Sequence, residues 1–545
     1  MLYIELLDGV NETARLTARD LRDRAAALAG SIQASGVRAG EVVLLIATAP
    51  CEFLVGLFGC MWAGVIAAPI AYPRRVEHLQ SRLEPVRANA RAVAVVAAPA
   101  QEGAEETVLQ VLTEGTLPVI STVADPAHAM AAPFAERNIA YLQYTSGSTS
   151  EPRGVIVTHA NLLANLEVCR SLLALDENCV NVSWCPLTHD MGLIMGALPS
   201  IATGMLSVLM PPSAFIRRPL TWLRAFDRYR GTHGYSPNFG YDLCVDRSTE
   251  EQRAELDLSC VRAFLNGAEP VRRRTRDRFV EAFAVSKVAP EAHTVGYGLA
   301  ESTVLVSATP LSSSGTVILV DAAALEKDEV VLRDKAVEGL TRELFCDGVI
   351  GDGYDARIVH PVTFEELPAG QVGELWLAGP SVSPGYWLRE AETEAAFGMR
   401  TVQGNGPFLR TGDLAFMHDG ELVICGRARD LIIIHGRNIY PQDIELTAEF
   451  AHPAVHAGGT AAFAIDDGDI ESLVVVAEVT GEPDESAVAS AIIAAVAREF
   501  ELHVKDVLLV APFTIPKTSS GKKQRSATRR LWGEARGTSL ATASG

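Results

Sequence analysis

The sequence has little of what marks a secreted, a membrane-spanning or a nucleic-acid-binding protein. Its nine cysteines include no C-x-x-C pair, and an odd number cannot pair fully within one chain, so reduced thiols are the simpler interpretation. The first residues, MLYIELLDGVNETARL, lack the basic and apolar regions of a secretory signal. A net charge of −20 argues against a nucleic-acid partner, whose electrostatic footprint is basic. These absences predict a cytoplasmic chain.

The sequence has few long apolar runs, and the most membrane-like one lies at residues 42–70. Pro50 and Glu52 interrupt that run, so a strand at 42–47, a helix at 51–63 and a strand at 65–70 explain it better than a membrane span. The same alternation returns in RAVAVVAA (91–98), LPVIST (117–122), GVIVTHANLLANLEVCRSLL (154–173) and VNVSWCPL (180–187). It predicts an α/β fold with a large N-terminal domain of helix-covered, mostly parallel sheets.

The 545 residues exceed what one hydrophobic core usually serves, so at least two domains are expected. Thr17 and Asp20 predict the N-terminal cap of the first helix. Short strands in GELWLAGP and GELVICG predict a small β-barrel-like part that completes a large domain at 1–425. A strand in LVVVAEVT and a helix in ESAVASAIIAAVAREF predict a small α+β domain at 431–535, followed by a disordered tail at 536–545.

The stretch YTSGSTSEPRG, residues 144–154, has the composition of a phosphate-binding loop. Its small hydroxyl residues and glycines let backbone N–H groups converge on an anion, although a loop of this kind is by itself more often a plain turn. The Lys-Ser or Lys-Thr ending of a P-loop is missing, because Val155 takes that place. A P-loop kinase or ATPase is therefore excluded.

Further short motifs follow this loop in a fixed order. They are NGAEP (266–270), YGLAES (297–302), RTGD (410–413), GRARDLIIIHGRNIYPQDIE (426–445) and PKTSSGKKQR (516–525). With the loop, they make the chain resemble the adenylate-forming superfamily of acyl-CoA synthetases, adenylation domains and luciferases over nearly its whole length. SWCPLTHDMGL (183–193), SPNFGYDLC (236–244) and GRNIYPQDIE resemble the fatty acyl-AMP ligases most. The mixed-charge segment near 312–346 lies where that family carries an insertion.

The resemblance implies a two-step reaction. A fatty or related carboxylate attacks the α-phosphate of ATP to give acyl-AMP and pyrophosphate, and the acyl group then passes to the phosphopantetheine thiol of a separate acyl carrier protein. No carrier domain follows Arg525, so the partner is expected to be another chain. Two alternatives stay open: an acyl-CoA ligase, and a non-catalytic scaffold that kept the fold. In the resembled family the insertion restrains the small domain and disfavours CoA.

The resemblance also assigns residues to the binding of ATP. The phosphate loop corresponds to Thr145, Ser146, Gly147, Ser148, Thr149, Arg153 and Gly154. The adenine pocket corresponds to Gly267, Ala268, Glu269, Tyr297 and Gly298, with Tyr297 against the base. Asp413 corresponds to the ribose-binding carboxylate, and Arg427 is a second ribose or phosphate contact.

The remaining assignments concern catalysis, domain movement and the acyl pocket. Lys522 corresponds to the mobile catalytic lysine, Glu301 to the Mg²⁺ ligand, and His189 to a group that faces the substrate carboxylate. Arg429 and Asp430 fall at the hinge, predicted at 426–430, on which the small domain pivots. The acyl pocket corresponds to Tyr235, Ser236, Asn238 and Phe239, where the bulk of Tyr235 could shorten the tunnel.

Two groups of basic residues and one replacement complete the predictions. The arginine run has two interpretations. A solvated helix face is the simpler one, and a docking site for an acidic carrier protein is the more specific one. The run comprises Arg272, Arg273, Arg274, Arg276 and Arg278. A basic surface patch is expected for Lys523, Arg525, Arg529 and Arg530. Ala300 stands where the superfamily commonly has a threonine, so one hydroxyl contact to phosphate is missing.

Overall fold

The computed structural model describes residues 1–70, 79–98, 117–134, 138–145, 152–311, 313, 315–337, 340–434, 437–466, 471–518 and 522–537. Two large β-sheets with helices against their faces form the greater part of the chain, and a smaller sheet follows. The helices are α1 (Ala18–Ala34), α2 (Pro50–Ala63), α3 (Leu79–Ala90), α4 (His159–Leu172), α5 (Pro199–Thr203), α6 (Pro212–Arg217), α7 (Leu220–Tyr229), α8 (Asn238–Asp246), α9 (Glu250–Ala254), α10 (Arg273–Ala282), α11 (Ala322–Leu325), α12 (Glu390–Phe397), α13 (Pro441–Phe450), α14 (Glu485–Phe500) and α15 (Arg525–Arg536).

The strands follow the apolar runs of the sequence. In chain order they are β1 (Tyr3–Leu6), β2 (Glu12–Leu16), β3 (Val42–Ile46), β4 (Ile66–Pro69), β5 (Ala94–Ala97), β6 (Val119–Ser121), β7 (Ile139–Thr145), β8 (Arg153–Thr158), β9 (Val180–Ser183), β10 (Leu206–Leu209), β11 (His233–Ser236), β12 (Ala263–Gly267), β13 (His293–Gly298), β14 (Leu305–Ala308), β15 (Val317–Asp321), β16 (Thr341–Phe345), β17 (Val349–Ile350), β18 (Asp355–Val359), β19 (Gly373–Ala378), β20 (Leu409–His418), β21 (Glu421–Arg427), β22 (Ile432–Ile434), β23 (Arg437–Ile439), β24 (Val455–Asp466), β25 (Glu471–Val479) and β26 (Val504–Val510).

One sheet has the strand order β6-β5-β3-β4-β7-β8 and is parallel except for the β7–β8 pair. Its central strand β3 reads VVLLI and is buried throughout, as expected for a parallel strand covered on both faces. Leu54 and Leu57 of α2 and Leu166 of α4 belong to the largest apolar core, which joins this sheet to the next one. The predicted strand, helix and strand at 42–70 are therefore confirmed.

The larger sheet has thirteen strands in the order β18-β19-β20-β21-β17-β14-β13-β12-β11-β9-β10-β1-β2. The five strands β9 to β13 are parallel to one another and lie in the order β10-β9-β11-β12-β13. The predicted small β-rich part is present, and its strands continue this sheet through the antiparallel pairs β14–β17 and β17–β21. This one sheet therefore contains both the parallel strands β9 to β13 and the antiparallel strands β20 and β21, whose residues come together at one site.

A small domain follows β21. A short 3-10 turn at Ala428–Asp430 leads into the β22–β23 hairpin and then into the sheet β24-β25-β26, which packs against α13 and α14. The strand β21 reaches Arg427, so it includes the first two residues of the predicted hinge. The domain limits stay predictions, and residues 538–545 of the predicted tail lie outside the described residues.

The segment predicted to be an insertion, 312–346, forms the β15–β16 hairpin with α11 between its strands. Its apolar side chains Val320, Leu325 and Leu344 share one core cluster with Phe416 of the large sheet and Tyr440 of the small domain. The segment therefore packs against both domains.

Three smaller expectations can also be compared with the structure. Thr17 and Asp20 form a capping box at the start of α1, as predicted. All nine cysteines are free thiols. No helix in the described ranges combines the length and the hydropathy needed to cross a membrane.

Candidate active site

The predicted site residues meet where the parallel strands of the larger sheet end. His189, Asn238, Glu269 and Glu301 follow the carboxyl ends of β9, β11, β12 and β13. Ligands of open α/β sheets bind outside this edge, because successive loops converge there. Asp413 of β20 and Arg427 of β21 approach the edge from the antiparallel strands, and Lys522 approaches from the small domain.

Asp413 is buried and contacts the side chains of Tyr297 and Arg427. The Tyr297 hydroxyl donates to Asp413 Oδ2 at 2.6 Å, and Arg427 Nε lies 3.0 Å from Asp413 Oδ1. Burial and the Asp413 carboxylate raise the pKa of Tyr297 well above its usual value, so Tyr297 remains a neutral donor. Each carboxylate oxygen has a second lone pair, so Asp413 can still accept hydrogen bonds from a ribose.

Lys522 enters the site beside this cluster. Burial and the Arg427 guanidinium lower the pKa of Lys522 below its ordinary range, while Asp190, Asp413 and Glu269 act in the opposite direction. The lysine therefore lies among the predicted ribose, base and carboxylate contacts of the large domain. The catalytic role of Lys522 stays a prediction.

The backbone around Lys522 forms what we call the lysine hairpin, residues 516–524. Gln524 N donates to Pro516 O at 2.8 Å, and Thr518 N donates to Lys522 O at 2.8 Å. The Thr518 hydroxyl accepts from Lys522 N at 3.0 Å. Residues 519–521 lie outside the described residues.

Lys523 and Arg525 differ from the expected basic surface patch. Their side chains are 12% and 20% exposed, and both contact Glu445, which is 2% exposed. Lys523 Nζ lies 3.0 Å from Glu445 Oε2, and Arg525 Nε lies 2.7 Å from Glu445 Oε1. The surface-patch prediction is wrong for these two residues, because a buried carboxylate on α13 draws both cations inward.

Glu301, the predicted metal ligand, is held by a tyrosine that the sequence analysis did not single out. The Tyr386 hydroxyl donates to Glu301 Oε1 at 2.8 Å, and Ser383 N donates to the Glu301 carbonyl at 2.9 Å. Thr303 follows with φ +71°, a strained conformation for a β-branched residue, and its hydroxyl donates to Ser381 O at 2.7 Å. The turn that carries Glu301 is therefore fixed on both sides.

Arg153 of the predicted phosphate loop also contacts Tyr386. Its guanidinium carbon lies 5.4 Å from the centre of the Tyr386 ring, and its Nε lies 2.7 Å from Glu392 Oε2. Arg389 shares the same carboxylate, with Nη1 3.2 Å from Glu392 Oε1. Glu392 thus holds Arg153 at the mouth of the loop.

The rest of the predicted loop is only partly described. Thr145 ends β7, and Gly154 pairs with Tyr144 across the β7–β8 hairpin. A Cβ at Gly154 would lie 3.0 Å from the Tyr144 ring, so glycine fits this close approach. Ser146, Gly147, Ser148 and Thr149 lie outside the described residues, and their phosphate contacts stay predictions.

His189 is paired with its neighbour. His189 Nδ1 lies 2.6 Å from Asp190 Oδ1, and Met191 N donates to the same oxygen at 2.7 Å. Burial favours a raised pKa for Asp190, but His189 and Lys522 outweigh it and lower the pKa. The carboxylate therefore stays ionised between the histidine and the lysine. That His189 faces the substrate carboxylate stays a prediction.

Asn238 organises the predicted base pocket. Its backbone N–H donates to Glu269 Oε1 at 2.9 Å, and its side-chain oxygen accepts from Asn266 Nδ2 at 3.0 Å and from Arg272 N at 3.1 Å. Ala268 has φ +68°. Two glycines provide close backbone approaches, since a Cβ would lie 2.5 Å from Gly296 O at Gly267 and 1.7 Å from Val304 O at Gly298.

Among the predicted acyl-pocket residues, Phe239 packs against an aromatic cluster. Trp184 stacks on Phe215 with ring centres 4.0 Å apart and contacts Phe239 edge-on at 5.6 Å. Tyr235 is fully buried, and the Ser236 hydroxyl donates to Pro237 O at 2.9 Å. Whether Tyr235 limits the acyl chain stays a prediction.

The structure contradicts the solvated-face interpretation at one position of the arginine run around α10, and the docking interpretation stays a prediction. Arg272 Nη1 lies 3.4 Å from Glu449 Oε2 of the small domain, and the guanidinium carbon of Arg274 lies 4.2 Å from the Phe450 ring centre. The other three arginines contact Asp277, Glu343, Phe345, Asp242 and Asp246. The solvated-face prediction is therefore wrong for Arg272, because it pairs with the small domain.

Comparison with known proteins now becomes informative. The family model described as AMP-binding enzyme matches residues 3–387, and the model described as Disco-interacting protein 2-like, AMP domain, matches residues 429–540. The chain belongs to the AMP-binding enzyme family. The motif order and the assembled site agree with that membership.

Relatives place the chain among the fatty acyl-AMP ligases of this family. It is 39% identical to the medium-chain-fatty-acid acyl-carrier-protein ligase JamA of Moorena producens, over 97% of this chain and 91% of that protein. It is 35% identical to the long-chain-fatty-acid AMP ligase FadD26 of Mycobacterium marinum, over 95% of this chain and 91% of that protein.

Solved structures agree with these relatives. A structure from work on fatty acyl-adenylate ligases of E. coli and L. pneumophila superposes with a TM-score of 0.90 at 31% identity, covering 98% of this chain and 96% of that one. The L. pneumophila fatty acyl-adenylate ligase in complex with acyl adenylate and pyrophosphate gives 0.75 at 33% identity, over 97% and 93% of the two chains. The chain is thus an adenylate-forming ligase, and the alternative of a non-catalytic scaffold loses its support.

The sequence analysis missed the residues that hold the predicted groups in place. Tyr386, Glu392 and Asp190 contact Glu301, Arg153 and His189. Glu445 and Arg525 lie inside the motifs already quoted, yet no role followed from their positions. A buried carboxylate that pairs with two cations is not recognisable from the sequence, because only the fold brings the segments together and Glu445 and Arg525 are 80 positions apart.

Proposed function

We propose that this ligase activates a fatty or related carboxylic acid with ATP and then passes the acyl group to the phosphopantetheine thiol of a separate acyl carrier protein. The observation that carries the proposal is that Lys522 of the small domain lies within electrostatic range of Asp413, Arg427 and Glu269 of the large domain. The medium-chain ligase JamA supports the carrier as acceptor, because its name specifies an acyl-carrier-protein ligase.

The main obstacle to adenylation is electrostatic, since a carboxylate must approach an anionic triphosphate. Cationic groups in a site that excludes water lower this electrostatic barrier most effectively. Lys522 supplies one such charge at the reacting carboxylate and α-phosphate, and Arg427 supplies another. Arg153, which Glu392 holds at the start of β8, would supply a planar fork of donors to the phosphates. Asp413 holds the ribose, so the α-phosphate lies within reach of Lys522.

The predicted metal ion is Mg²⁺, held by Glu301. Within the described ranges, no group of three His, Cys, Asp or Glu side chains could hold a metal on its own. One carboxylate together with substrate phosphates is a usual environment for Mg²⁺, and Glu301 Oε2 makes no hydrogen bond within the described part of the chain, so the residue fits this role. The ion would neutralise phosphate charge. Tyr386 fixes the carboxylate that would receive it.

The insertion supports a carrier protein as acceptor over CoA. Arg437 Nε and Nη2 lie 2.7 and 2.9 Å from the Glu326 carboxylate, and Asn438 Nδ2 donates to both Asp328 oxygens at 3.1 and 3.2 Å. These contacts join the insertion to the small domain. The cytoplasmic location and the chain length of the acid stay predictions.

The proposal is tested by pyrophosphate release and hydroxamate trapping across acids of increasing chain length. Mass spectrometry then follows loading of candidate carrier proteins, with CoA as the competing acceptor. Replacing Lys522 by alanine is expected to lower acid-dependent adenylate formation by about 10²- to 10³-fold while ATP binding persists. Unchanged turnover in this variant would overturn the mechanism, and CoA thioester as the main product would overturn the acceptor.

A further inference from the structure

Arg525 binds two carboxylates that belong to different parts of the molecule. Its Nη1 donates to Asp430 Oδ2 at 2.9 Å, and its Nε and Nη2 donate to Glu445 at 2.7 and 3.0 Å. Asp430 ends the 3-10 turn between β21 and β22, at the predicted hinge, whereas Glu445 lies on α13 of the small domain. Arg525 therefore connects the hinge to the small domain directly.

Glu445 also anchors the lysine hairpin. Its carboxylate accepts from Lys523 Nζ at 3.0 Å and from Ala462 N at 3.1 Å, in addition to the Arg525 guanidinium. Burial alone would raise the pKa of Glu445, but Lys523 and Arg525 outweigh it and hold the pKa at about 2. The carboxylate is thus ionised at neutral pH.

This anchor sets the direction of Lys522. Lys517 and Lys523 pair as antiparallel neighbours in the lysine hairpin. Adjacent side chains of an extended segment point to opposite sides. With Lys523 directed to Glu445 inside the small domain, Lys522 is directed outward to the large domain, where Asp190, Asp413 and Glu269 lie.

We propose that Arg525 is a positioning residue that couples the hinge to Lys522, because it binds Asp430 and Glu445 at once in the arrangement that places Lys522 in the site. The proposal rests on the proposed function. The contact with Glu445 lies within the small domain and moves with it. The contact with Asp430 is the one that a rotation at the hinge changes, so this contact favours the adenylate-forming pose over the others.

The test compares Arg525→Gln, Asp430→Asn and the double variant, with Arg530→Gln as the matched control. Arg530 is an exposed residue on the same helix, α15. Loss of a hydrogen bond between charged groups predicts that kcat of ATP–pyrophosphate exchange falls about 10- to 100-fold in both single variants. The KM for ATP should change less than about twofold. Transfer of the acyl group from synthetic acyl-AMP to pantetheine should proceed at the wild-type rate.

Two further measurements separate positioning from a structural role. The double variant should be no slower than the slower single variant, because both changes break the same contact. Trypsin should cleave after Lys522 and Lys523 faster in both single variants than in the wild type at equal thermal stability, and Arg525→Lys should recover part of the exchange activity. Parallel loss of both half-reactions, additive effects, or unchanged exchange with unchanged cleavage would overturn the proposal. Absence of exchange in the wild-type enzyme with every acid would overturn the proposed function instead, and the cleavage pattern would still decide the role of Arg525.

Discussion

Tyr386 is the residue through which two predicted functional groups meet. Its hydroxyl binds Glu301, and its ring lies under the Arg153 guanidinium. Groups that orient a metal-binding carboxylate typically change metal affinity or activity by 10- to 100-fold when removed. We therefore expect Tyr386→Phe to raise the Mg²⁺ concentration for half-maximal pyrophosphate release about tenfold. A titration of Mg²⁺ at saturating ATP and acid measures this shift.

A second substitution at the same position tests the ring separately. Tyr386→Leu removes both the hydroxyl and the aromatic face below Arg153, so it should also weaken ATP binding measured without metal, by roughly 0.5–2 kcal/mol. Tyr386→Phe should leave that metal-free affinity unchanged. Equal Mg²⁺ requirements in the wild type and the phenylalanine variant would show that the hydrogen bond to Glu301 is not needed.

The lowered pKa of Lys522 predicts that the activity falls at alkaline pH. Burial and Arg427 lower its pKa, and the protonated form is the one that neutralises phosphate charge. Activity is therefore present below the lowered pKa and is lost as the pH rises through it, at a pH below that of an ordinary lysine. A profile of kcat/KM against pH reports this group in the free enzyme. Lys522→Arg stays charged, so its profile should lack the alkaline fall even though its maximum rate is lower.

At the scale of elements, local signals predicted the fold well. The prediction for the run at 42–70 matches β3, α2 and β4, because Pro50 and the change of periodicity are local features. Likewise, α14 covers the predicted helical segment ESAVASAIIAAVAREF. The contacts that hold the site were not predictable in this way. Glu301 and Tyr386 are 85 positions apart, and Arg272 and Glu449 are 177 apart. Sequence periodicity carries no information about such pairs.

The insertion can be tested without removing it. A deletion would uncover the core cluster that Val320, Leu325 and Leu344 share with Tyr440, so loss of folding would obscure the result. The variant Glu326→Gln with Asp328→Asn keeps the shapes and removes the charges that bind Arg437 and Asn438. Charged hydrogen bonds of this kind contribute about 1.5–3 kcal/mol, so a loosened small domain should raise CoA thioester formation by on the order of tenfold.

The matched control for this element is Asp334→Asn, an exposed position on the same segment. It should leave the acceptor preference unchanged. Acyl-AMP formation should be similar in all variants, since the Lys522 site does not include the insertion. An unaltered ratio of carrier to CoA product in the double variant would contradict a restraining role for these contacts.

At the scale of the whole molecule, the two domains are joined by ion pairs that surround the small domain. Besides Arg525 with Asp430 and Arg437 with Glu326, Arg342 Nε lies 3.0 Å from Asp443 Oδ2 while its guanidinium carbon lies 4.2 Å from the Tyr440 ring centre. The ion pair of Arg272 with Glu449 is a further contact between the large and the small domain. One pose of the small domain is thus specified by several separate charges and not by an apolar interface alone.

The same pairing bears on the proposed encounter with an acidic carrier protein. The chain has a net charge of −20, and the arginines around α10 that would attract an acidic partner lie beside carboxylates such as Asp242, Asp277 and Glu449. Long-range repulsion should therefore slow the encounter, and salt screens such repulsion over about 10 Å at 0.1 M. We expect kcat/KM for carrier loading to rise about two- to fivefold between 20 and 200 mM salt, measured at saturating ATP and acid. Pantetheine, a neutral acceptor, should show no such rise. A fall in carrier loading over the same range would instead place the carrier on a basic surface away from α10.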